Sequence, residues 1–600
     1  MDQLRCNHTL SEEQILRTES VKNAALLELE RYDREIDRLR RLIDRLLDKR
    51  RSLSNDIDIC HSILAPIHRL PGELLGQVFS ECCALPSDVL DSEFASSMPI
   101  VPEQYQQYDT YGLRMNLSHV SSYWRTIALS MPALWSIFLI DLAKMNNSML
   151  SLVLLHLERS AHSPLSFSIF DSANYEYDRS HKPDQFLIQQ LLRIFLQNIP
   201  RWSCVSLDLE WETTTVGSLF EEVWNVESDL SSAPLPTILQ FLELTRFVNV
   251  YSQSGFPYRG FMKVLNQAPL LRAIRHHNEL MTTDGRELPY HQLHYLDVLL
   301  NQKQALTVLS ISPELRKCCL RIWDRSIDNP GLNTPRRIID LSRLNTLEIF
   351  GNFQPRSCVP VLQTMFDQLT VPSLTTLSIK MPQFHQGGFA NWPHSQFRDM
   401  LVRSSLLSSS GPGNCIQKLV LHNLRLCDDD LLAIFRYFPH LLELDMAGYE
   451  SCSWNSEPGS NPRNVFMLSY RVLLSLTTSL RHGFDTDSEM SFLPDASMAP
   501  SDLANTDAPL LGKLRKLTLR AQGSFTLLDT DALLDLLESR YTSCQENVAT
   551  LEEFDLYWTP EHQMPLSNYA MYGLGESALQ RLLVLSCEGM KVKLDGRRIA

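Results

Sequence analysis

A pattern of three apolar residues recurs along most of the chain. Two other residues lie between the first and second apolar residue, and one lies between the second and third. The spacing occurs in eight segments: Leu239-Leu242-Leu244, Leu293-Leu296-Val298, Leu344-Leu347-Ile349, Leu374-Leu377-Ile379, Ile416-Leu419-Leu421, Leu441-Leu444-Met446, Leu514-Leu517-Leu519 and Leu551-Phe554-Leu556. A shorter version ends at Leu207 and Leu209. Such short alternation predicts half-buried β-strands. Helical stretches lie between them, for example after Phe261 and Asp428.

A strand followed by a helix, repeated at intervals of roughly 20–40 residues, is the signature of leucine-rich repeats. We therefore predict an α/β fold in which residues 141–600 form an irregular leucine-rich-repeat solenoid with a parallel sheet. A generic α/β domain with leucine-rich strands is the alternative. Segments near 448–464 and 485–508 are rich in Ser, Pro, Gly, Asn and Asp, and we expect them to be disordered insertions.

Residues 1–62 are predicted to form a coiled-coil helix. One seam of a seven-residue repeat, interrupted by Arg50, contains Leu29, Ile36, Ile43 and Ile57. The other seam contains Ala25, Tyr32, Leu39, Leu46, Leu53 and Cys60. About five heptads favour pairing with a second helix, and we expect a homodimer. Charged pairs such as Glu30 with Arg34 have the i,i+4 spacing that stabilises an exposed helix. The alternative is a helix that folds back on its own chain.

Two more amphipathic segments follow, PIHRLPGELLGQVF from Pro66 to Phe79 and LSHVSSYWRTIALSMPALW from Leu117 to Trp135. Pro71 suits the first turn of a helix, where the missing N–H costs nothing. Glu73 places a negative charge near the positive end of the helix dipole. Each segment predicts one amphipathic helix. Helices this short bury little surface alone, so they must pack on a larger body or on a partner.

These two segments resemble the F-box, the helical module that docks an F-box protein onto the Skp adaptor of a Skp–cullin–F-box ubiquitin ligase. The matching residues are Leu70, Pro71, Glu73, Leu74, Leu75, Val78 and Phe79, then Val120, Trp124, Arg125, Ile127, Ala128, Pro132, Leu134 and Trp135. All of these except Arg125, Ala128 and Pro132 are the expected adaptor contacts. The resemblance implies an F-box-like domain at residues 63–140. An insert at 84–112 replaces the short connection of most F-boxes, at small thermodynamic cost.

The order of coiled coil, split F-box and leucine-patterned tail also resembles a large group of fungal F-box proteins. The resemblance implies a substrate-recognition subunit that binds the Skp adaptor and, through it, a cullin, while its repeats bind a protein substrate. The alternative is a non-catalytic coiled-coil scaffold in which the F-box-like helices only cap the solenoid, because terminal repeats need caps.

An acidic row is expected on the repeat domain. The residue between the last two apolar positions of each repeat points away from the core. Those residues are Asp208, Glu243, Asp297, Glu348, Ser378, Val420, Asp445, Thr518 and Asp555. Most are acidic, so we expect Glu243, Asp297, Glu348, Asp445 and Asp555 to face the substrate and to attract a basic segment of it.

Composition narrows the function classes. The chain carries 55 Lys and Arg against 70 Asp and Glu, a formal charge of −15, which disfavours a general nucleic-acid binder. No apolar run is long enough to span a membrane, and no secretory signal is recognisable at the N-terminus. The 13 cysteines form no CxxC pair, which argues against a zinc site and for a reducing compartment, cytoplasmic or nuclear.

Catalytic motifs are weak. Gly573 and Gly575 imitate a dinucleotide fingerprint without a convincing preceding strand. The run from Asp428 to Asp430 is better explained as the start of a helix than as a cation site. His276 and His277 lack companions at metal spacing, and we expect a solvated helix end. We therefore expect no catalytic residue, no metal and no cofactor.

Overall fold

The computed structural model describes residues 11–83, 110–171, 184–208, 235–245, 264–276, 288–324, 337–353, 355–381, 392–406, 416–424, 426, 428–449, 468, 470–477, 510–522, 530–542, 548–559 and 576–598. The chain divides into two compact units. The first, called here the helical unit, comprises residues 1–84 and 117–130. The second, the sheet unit, comprises residues 85–116 and 131–600.

The described part of the chain contains 13 α-helices. They are α1 (Glu12–Leu64), α2 (Gly72–Cys83), α3 (Thr110–Val120), α4 (Ser122–Leu129), α5 (Asn147–Arg159), α6 (Gln185–Gln197), α7 (Gln302–Ser310), α8 (Pro355–Gln368), α9 (His394–Leu406), α10 (Asp428–Tyr437), α11 (Tyr470–Leu476), α12 (Thr530–Tyr541) and α13 (Glu576–Glu588).

The strands are β1 (Ile137–Asp141), β2 (Leu165–Phe170), β3 (Trp202–Asp208), β4 (Phe241–Thr245), β5 (Ala273–His276), β6 (Tyr295–Leu300), β7 (Lys317–Asp324), β8 (Ile339–Asp340), β9 (Thr346–Phe353), β10 (Leu369–Thr370), β11 (Thr376–Lys380), β12 (Lys418–His422), β13 (Glu443–Tyr449), β14 (Lys516–Gln522), β15 (Glu553–Thr559), β16 (Lys591–Leu594) and β17 (Arg597–Arg598). The α/β class is therefore confirmed, with a mostly parallel sheet.

The long N-terminal helix is present as α1, which has 53 residues and is about 80 Å long. Both predicted seams are exposed along it: Leu39, for example, is 48 % exposed. The ion pairs on α1 differ from the expected ones, because Arg34 and Arg41 donate to the backbone carbonyls of Glu30 and Asp37. The observed pairs have i,i+3 spacing instead, as between Arg38 and Glu35.

One large sheet organises the sheet unit. Its 15 strands follow one another in chain order, with β8 and β10 set apart as a separate pair. All neighbours are parallel except β16 and β17. Each of the eight predicted segments forms a strand, β4, β6, β9 and β11 to β15. The hydrophobic spacing therefore located these strands correctly.

Equivalent apolar residues from successive strands form one buried row in the core. The row consists of Val205, Leu242, Ile274, Leu296, Cys318, Leu347, Leu377, Leu419, Leu444, Leu517, Phe554 and Val592. Helices cover this face, because Phe195 of α6, Leu306 of α7, Phe397 of α9 and Phe435 of α10 join the same core. The opposite face of the sheet, called here the polar face, is left to polar side chains.

The units differ from the predicted domains at 63–140 and 141–600. The second unit resumes at residue 131, because β1 pairs with β2 and draws the preceding segment into the sheet unit. Of the predicted 84–112 insert, residues 84–109 lie outside the described residues. The predicted disordered segment near 485–508 also lies outside them, and so does 448–464 except for the end of β13.

Candidate functional sites

The helical unit is packed around the contact between α2 and α4. The buried side chains of α2 are Leu75, Phe79 and Cys83, and those of α4 are Trp124 and Ala128. The rings of Phe79 and Trp124 lie 4.9 Å apart between centroids, at an interplanar angle of 53°. Small residues let the helices approach: a Cβ added to Gly72 would lie 3.3 Å from the Tyr123 hydroxyl. Leu75 and Phe79 therefore contribute to the interior of the helical unit.

The second F-box-like segment is not one helix, as predicted, but two. Ser121 interrupts it in an extended conformation, with φ −157° and ψ 166°, and its Oγ accepts a hydrogen bond from the Trp124 N–H at 3.1 Å. Arg125 Nε donates to the Ser118 carbonyl at 2.9 Å and ties the two helices together. Serine competes for backbone donors in this way and so favours a helix start over a helix interior.

The predicted adaptor contacts fall into three groups. Leu74, Val78 and Val120 are exposed apolar side chains, together with Tyr123 and Leu129, which the prediction did not include. Pro71 and Glu73 are also exposed, and Leu70 and Ile127 are half-buried. Leu75, Phe79 and Trp124 are buried and cannot touch a partner while the unit is folded.

Leu134 and Trp135, also predicted as adaptor contacts, are buried in the sheet unit. The Trp135 ring meets the His156 ring edge-on at 4.9 Å, and the Arg159 guanidinium lies 4.4 Å from the Trp135 ring centroid. Burial, together with the charges of Arg114 and Arg159, lowers the pKa of His156 to about 4. These two residues therefore have a structural role next to β1, which the F-box pattern did not indicate.

A row of aligned residues runs across the centre of the polar face. In order of the strands it contains Ser206, Glu243, Arg275, Asp297, Cys319, Glu348, Ser378, Val420, Asp445, Thr518, Asp555 and Lys593. The five predicted carboxylates are thus aligned, as expected. Asp208 is not among them: Val205 and Leu207 occupy the core positions of β3, so Asp208 pairs with Thr245.

The carboxylates of the central row are bound to cations of the same face. Arg275 Nη1 lies 3.0 Å from Glu243 Oε1, and Arg275 Nε lies 3.3 Å from Asp297 Oδ2. Arg321 Nε reaches Asp297 from the other side, at 3.2 Å from Oδ1. Burial alone would lower the pKa of Arg275, but Glu243, Tyr295 and Asp297 hold it above its usual value. The result is a buried network of alternating charge.

Asp445 is held in the same way further along the sheet. His422 Nε2 lies 3.0 Å from Asp445 Oδ1, and Arg520 binds both carboxylate oxygens through Nε and Nη2. Burial would raise the pKa of Asp445, but the hydrogen bonds and charges of His422 and Arg520 lower it. Burial lowers the pKa of His422, against the opposing effect of Asp445.

A third cluster ends the row. Lys516 Nζ lies 3.4 Å from Glu553 Oε1 and 3.6 Å from Asp555 Oδ2. Lys593 pairs with the same two carboxylates, at 3.7 Å from Asp555. Burial raises the pKa of Asp555, and Lys516 and Lys593 oppose that rise.

These contacts change the expected acidic row. Asp297 is 0 % exposed, Glu243, Glu348 and Asp555 are also buried, and all of these carboxylates have cationic partners. The prediction missed the partners because it considered only one position per repeat. Side chains alternate along a strand, so residues two positions away lie on the same face. Arg520 follows Thr518 by two positions, and that spacing was visible in the sequence.

Three strands of the central row, β5, β7 and β16, were missed as well. Leu271, Ile274 and His276 have the repeat spacing with a histidine in the last apolar position, and Leu315, Cys318 and Leu320 have it with a cysteine in the middle. His276 was expected at a solvated helix end, but it belongs to β5 and is buried. Its neighbours on the adjacent strands are the buried Leu244 and Val298, so it occupies a core position.

The other candidate motifs carry no site within the described residues. The three aspartates from Asp428 onward form the first turn of α10, as predicted. Gly573 and Gly575 lie outside the described part of the chain. No group of three or more His, Cys, Asp or Glu side chains among the described residues could hold a metal ion. None of the described helices is long and apolar enough to cross a membrane.

Comparison of the chain with protein-family models gave no match, and a search of curated proteins gave none either. The F-box resemblance therefore depends on the residues and their arrangement alone.

Proposed function

We propose that this chain is the substrate-recognition subunit of a Skp–cullin–F-box ubiquitin ligase. The helical unit binds the Skp adaptor and, through it, a cullin, and the sheet unit binds a protein substrate. The observation that carries the proposal is the exposed apolar set of the helical unit: Leu74, Val78, Val120, Tyr123 and Leu129. Contiguous exposed apolar side chains, such as Leu74 and Val78 one turn apart on α2, are typical of interaction surfaces.

The pattern within α2 supports a docking role. Leu75 and Phe79 are buried and hold the unit together, whereas Leu74 and Val78, one position earlier in each case, are exposed. Leu74 and Val78 are four residues apart and therefore neighbours on one side of the helix. The helix thus has one apolar side for its own unit and a second apolar side for a partner.

The proposed role needs no catalytic group, metal or cofactor in this chain. A receptor subunit acts by proximity, because it raises the effective concentration of substrate lysines near the charged enzyme. We place this activity in the cytoplasm or nucleus, with neither nucleic acid nor membrane as a partner.

The finer fold that we propose for the sheet unit is an irregular leucine-rich-repeat solenoid. Its support is the chain order of the strands in the large sheet, the rows of aligned core residues and the helices that cover one face. Each repeat contributes one strand and buries it against its neighbours, as in repeat proteins.

We further propose that α1 pairs with a second copy of the chain. Its seam residues Leu29, Ile36 and Ile43 are all about half exposed, and their seven-residue spacing matches the seam of a two-stranded coiled coil. Sedimentation of the full chain should give a dimer, and Ile36→Asp with Ile43→Asp should give a monomer.

The adaptor proposal is tested by titrating purified Skp adaptor onto the full chain. Leu74→Glu with Val78→Glu should weaken adaptor binding by about a hundredfold or more, because two charges enter an apolar interface. The matched control is Leu583→Glu with Val584→Glu, which places the same charges on exposed apolar positions of α13. A folded wild-type chain that does not bind the adaptor, or equal binding by the Leu74/Val78 variant, refutes the proposal.

A second function is favoured by the burial of Leu134 and Trp135 in the sheet unit. In this alternative the chain is a non-catalytic coiled-coil scaffold, and its F-box-like segments have only structural roles. The adaptor titration separates the two functions, because the scaffold does not bind the adaptor and still dimerises.

A further inference from the structure

A second row on the polar face combines cations with aromatic rings. It lies two positions further along each strand than the central row. The residues, in strand order, are Arg321, Phe350, Lys380, His422, Ala447, Arg520 and Tyr557. We call it the basic–aromatic row. From β7 to β15 none of its members is acidic, whereas the same position is Leu299 in β6 and Asp208 in β3.

Two cations of the basic–aromatic row are more exposed than the carboxylates that they bind. The Arg520 side chain is 41 % exposed, whereas its partner Asp445 is 20 % exposed. Arg321 is 18 % exposed and its partner Asp297 is not exposed at all. An incoming molecule therefore meets guanidinium and ammonium groups first, and the negative charges lie behind them.

Aromatic rings hold several of these cations without neutralising them. The Arg321 guanidinium lies 5.0 Å from the Phe350 ring centroid, and Lys380 Nζ lies 5.1 Å from the same centroid. Arg520 lies 4.4 Å from the ring centroid of Tyr557. A cation on a ring face is positioned by the ring quadrupole but keeps its net charge. Arg321 and Arg520 are also ion-paired with Asp297 and Asp445, so Lys380 is the cation of the row whose charge is most available to a ligand.

Lys380 is the third of the seven residues in the row. Its half-buried ammonium has no carboxylate within salt-bridge distance among the described residues, and its described contact is the Phe350 ring. Burial lowers the pKa of Lys380, while the more distant charges of Glu348 and Asp445 raise it. An anion bound beside Lys380 would form an ion pair with its ammonium and offset the free-energy cost of burying that charge.

We propose that the basic–aromatic row binds an extended, acidic segment of a partner protein, rich in Asp and Glu. The seven strands of the row span roughly 29 Å at the usual spacing, the length of about nine extended residues. The proposal depends on the proposed function only in taking this partner to be the substrate. The expected charge of the bound segment is therefore opposite to the basic one that the sequence alone suggested, because the carboxylates of this face are already paired.

The test uses the full chain and two labelled nine-residue peptides, one alternating Glu with Ser and one alternating Lys with Ser. Fluorescence anisotropy should show that the acidic peptide binds more tightly and that salt weakens its binding. Lys380→Glu should weaken the acidic peptide by about tenfold or more, and Lys380→Gln by less, because the first reverses and the second only removes the charge. Tighter binding of the basic peptide overturns the proposal.

The matched control is Lys303→Glu, which makes the same charge change on exposed α7, on the helix-covered side of the sheet. If Lys303→Glu and Lys380→Glu weaken the acidic peptide equally, or if neither does, the row is not the site. Thermal unfolding of each variant shows whether it is folded. If Lys380→Glu does not fold, Lys380→Gln is used for the comparison instead. Adaptor binding should be unchanged by Lys380→Glu, so failure of this proposal and failure of adaptor docking give different results.

Discussion

The two units depart from the usual distribution of residues in opposite directions. The helical unit leaves apolar side chains in solvent, with Leu74 46 % and Val120 56 % exposed. The sheet unit buries charges, including Arg275 and Asp297. An exposed apolar side chain costs its own unit little and gains stability when a partner covers it. A buried charge is costly from the outset and persists only with partners.

This difference separates groups whose contacts are made within their own unit from groups that are exposed to a partner molecule. The charges of the central row are satisfied by Arg275, Arg321 and Arg520 within the unit itself. The apolar side chains of Leu74 and Val78 are not buried by the described part of the helical unit. Changes in the two places should therefore have opposite signatures: loss of stability in the sheet unit, and loss of binding in the helical unit.

The largest expected effect tests the first half of the comparison. Asp297→Asn removes the charge between Arg275 and Arg321 and leaves two cations facing each other with Glu243 alone. Breaking a buried ion network from one side costs about 3–5 kcal/mol. Hydrogen exchange of the amides of β6 should show the free energy of opening lowered by about that amount.

The control for this prediction is Glu552→Gln, which breaks a pair with Arg515 in which both side chains are more than half exposed. Its effect should stay within about 1 kcal/mol, as for other surface pairs. Replacing Arg321 with Gln in the Asp297→Asn chain should recover part of the loss. Equal effects of Asp297→Asn and Glu552→Gln would contradict the view that the network is buried and coupled.

Sequence patterns located the strands well because the core tolerates only apolar residues at fixed intervals. The same patterns misplaced part of the candidate sites for two physical reasons. Whether an apolar stripe faces inward or outward depends on the partner helix, so Phe79 and Leu74 are alike in sequence and opposite in exposure. Whether a carboxylate is free depends on the register between strands, which places Asp445 opposite Thr518 and so within reach of Arg520, distant in sequence.

A smaller effect concerns His156, the buried titratable group beside Trp135. An unfolded histidine has a pKa near 6.5, and burial with Arg114 and Arg159 lowers the native pKa to about 4. Between these values the unfolded chain binds a proton that the native chain does not. The stability contribution is therefore complete above pH 6.5 and is lost as the pH falls to 4, up to about 3 kcal/mol.

His156→Phe removes this proton uptake and serves as its own control, because other titrating groups stay in both chains. The melting temperature of the wild type should fall relative to that of the variant as the pH falls from 7 to 4. A constant difference over that range would show that His156 takes up its proton equally in both states.

The smallest expected effect concerns the helical unit, where a change that lowers stability should leave adaptor binding largely intact. Ser121→Ala removes the hydroxyl that accepts from the Trp124 N–H, and loss of such an N-cap costs about 1 kcal/mol. Hydrogen exchange in the first turn of α4 should quicken by about fivefold, while Ser122→Ala, one position along, should leave it unchanged. Because the exposed side chains Leu74 and Val78 belong to α2, adaptor binding should fall far less than with Leu74→Glu and Val78→Glu. Equal loss of adaptor binding in both cases would mean that the adaptor requires a well-ordered α4 rather than the exposed apolar side chains of α2.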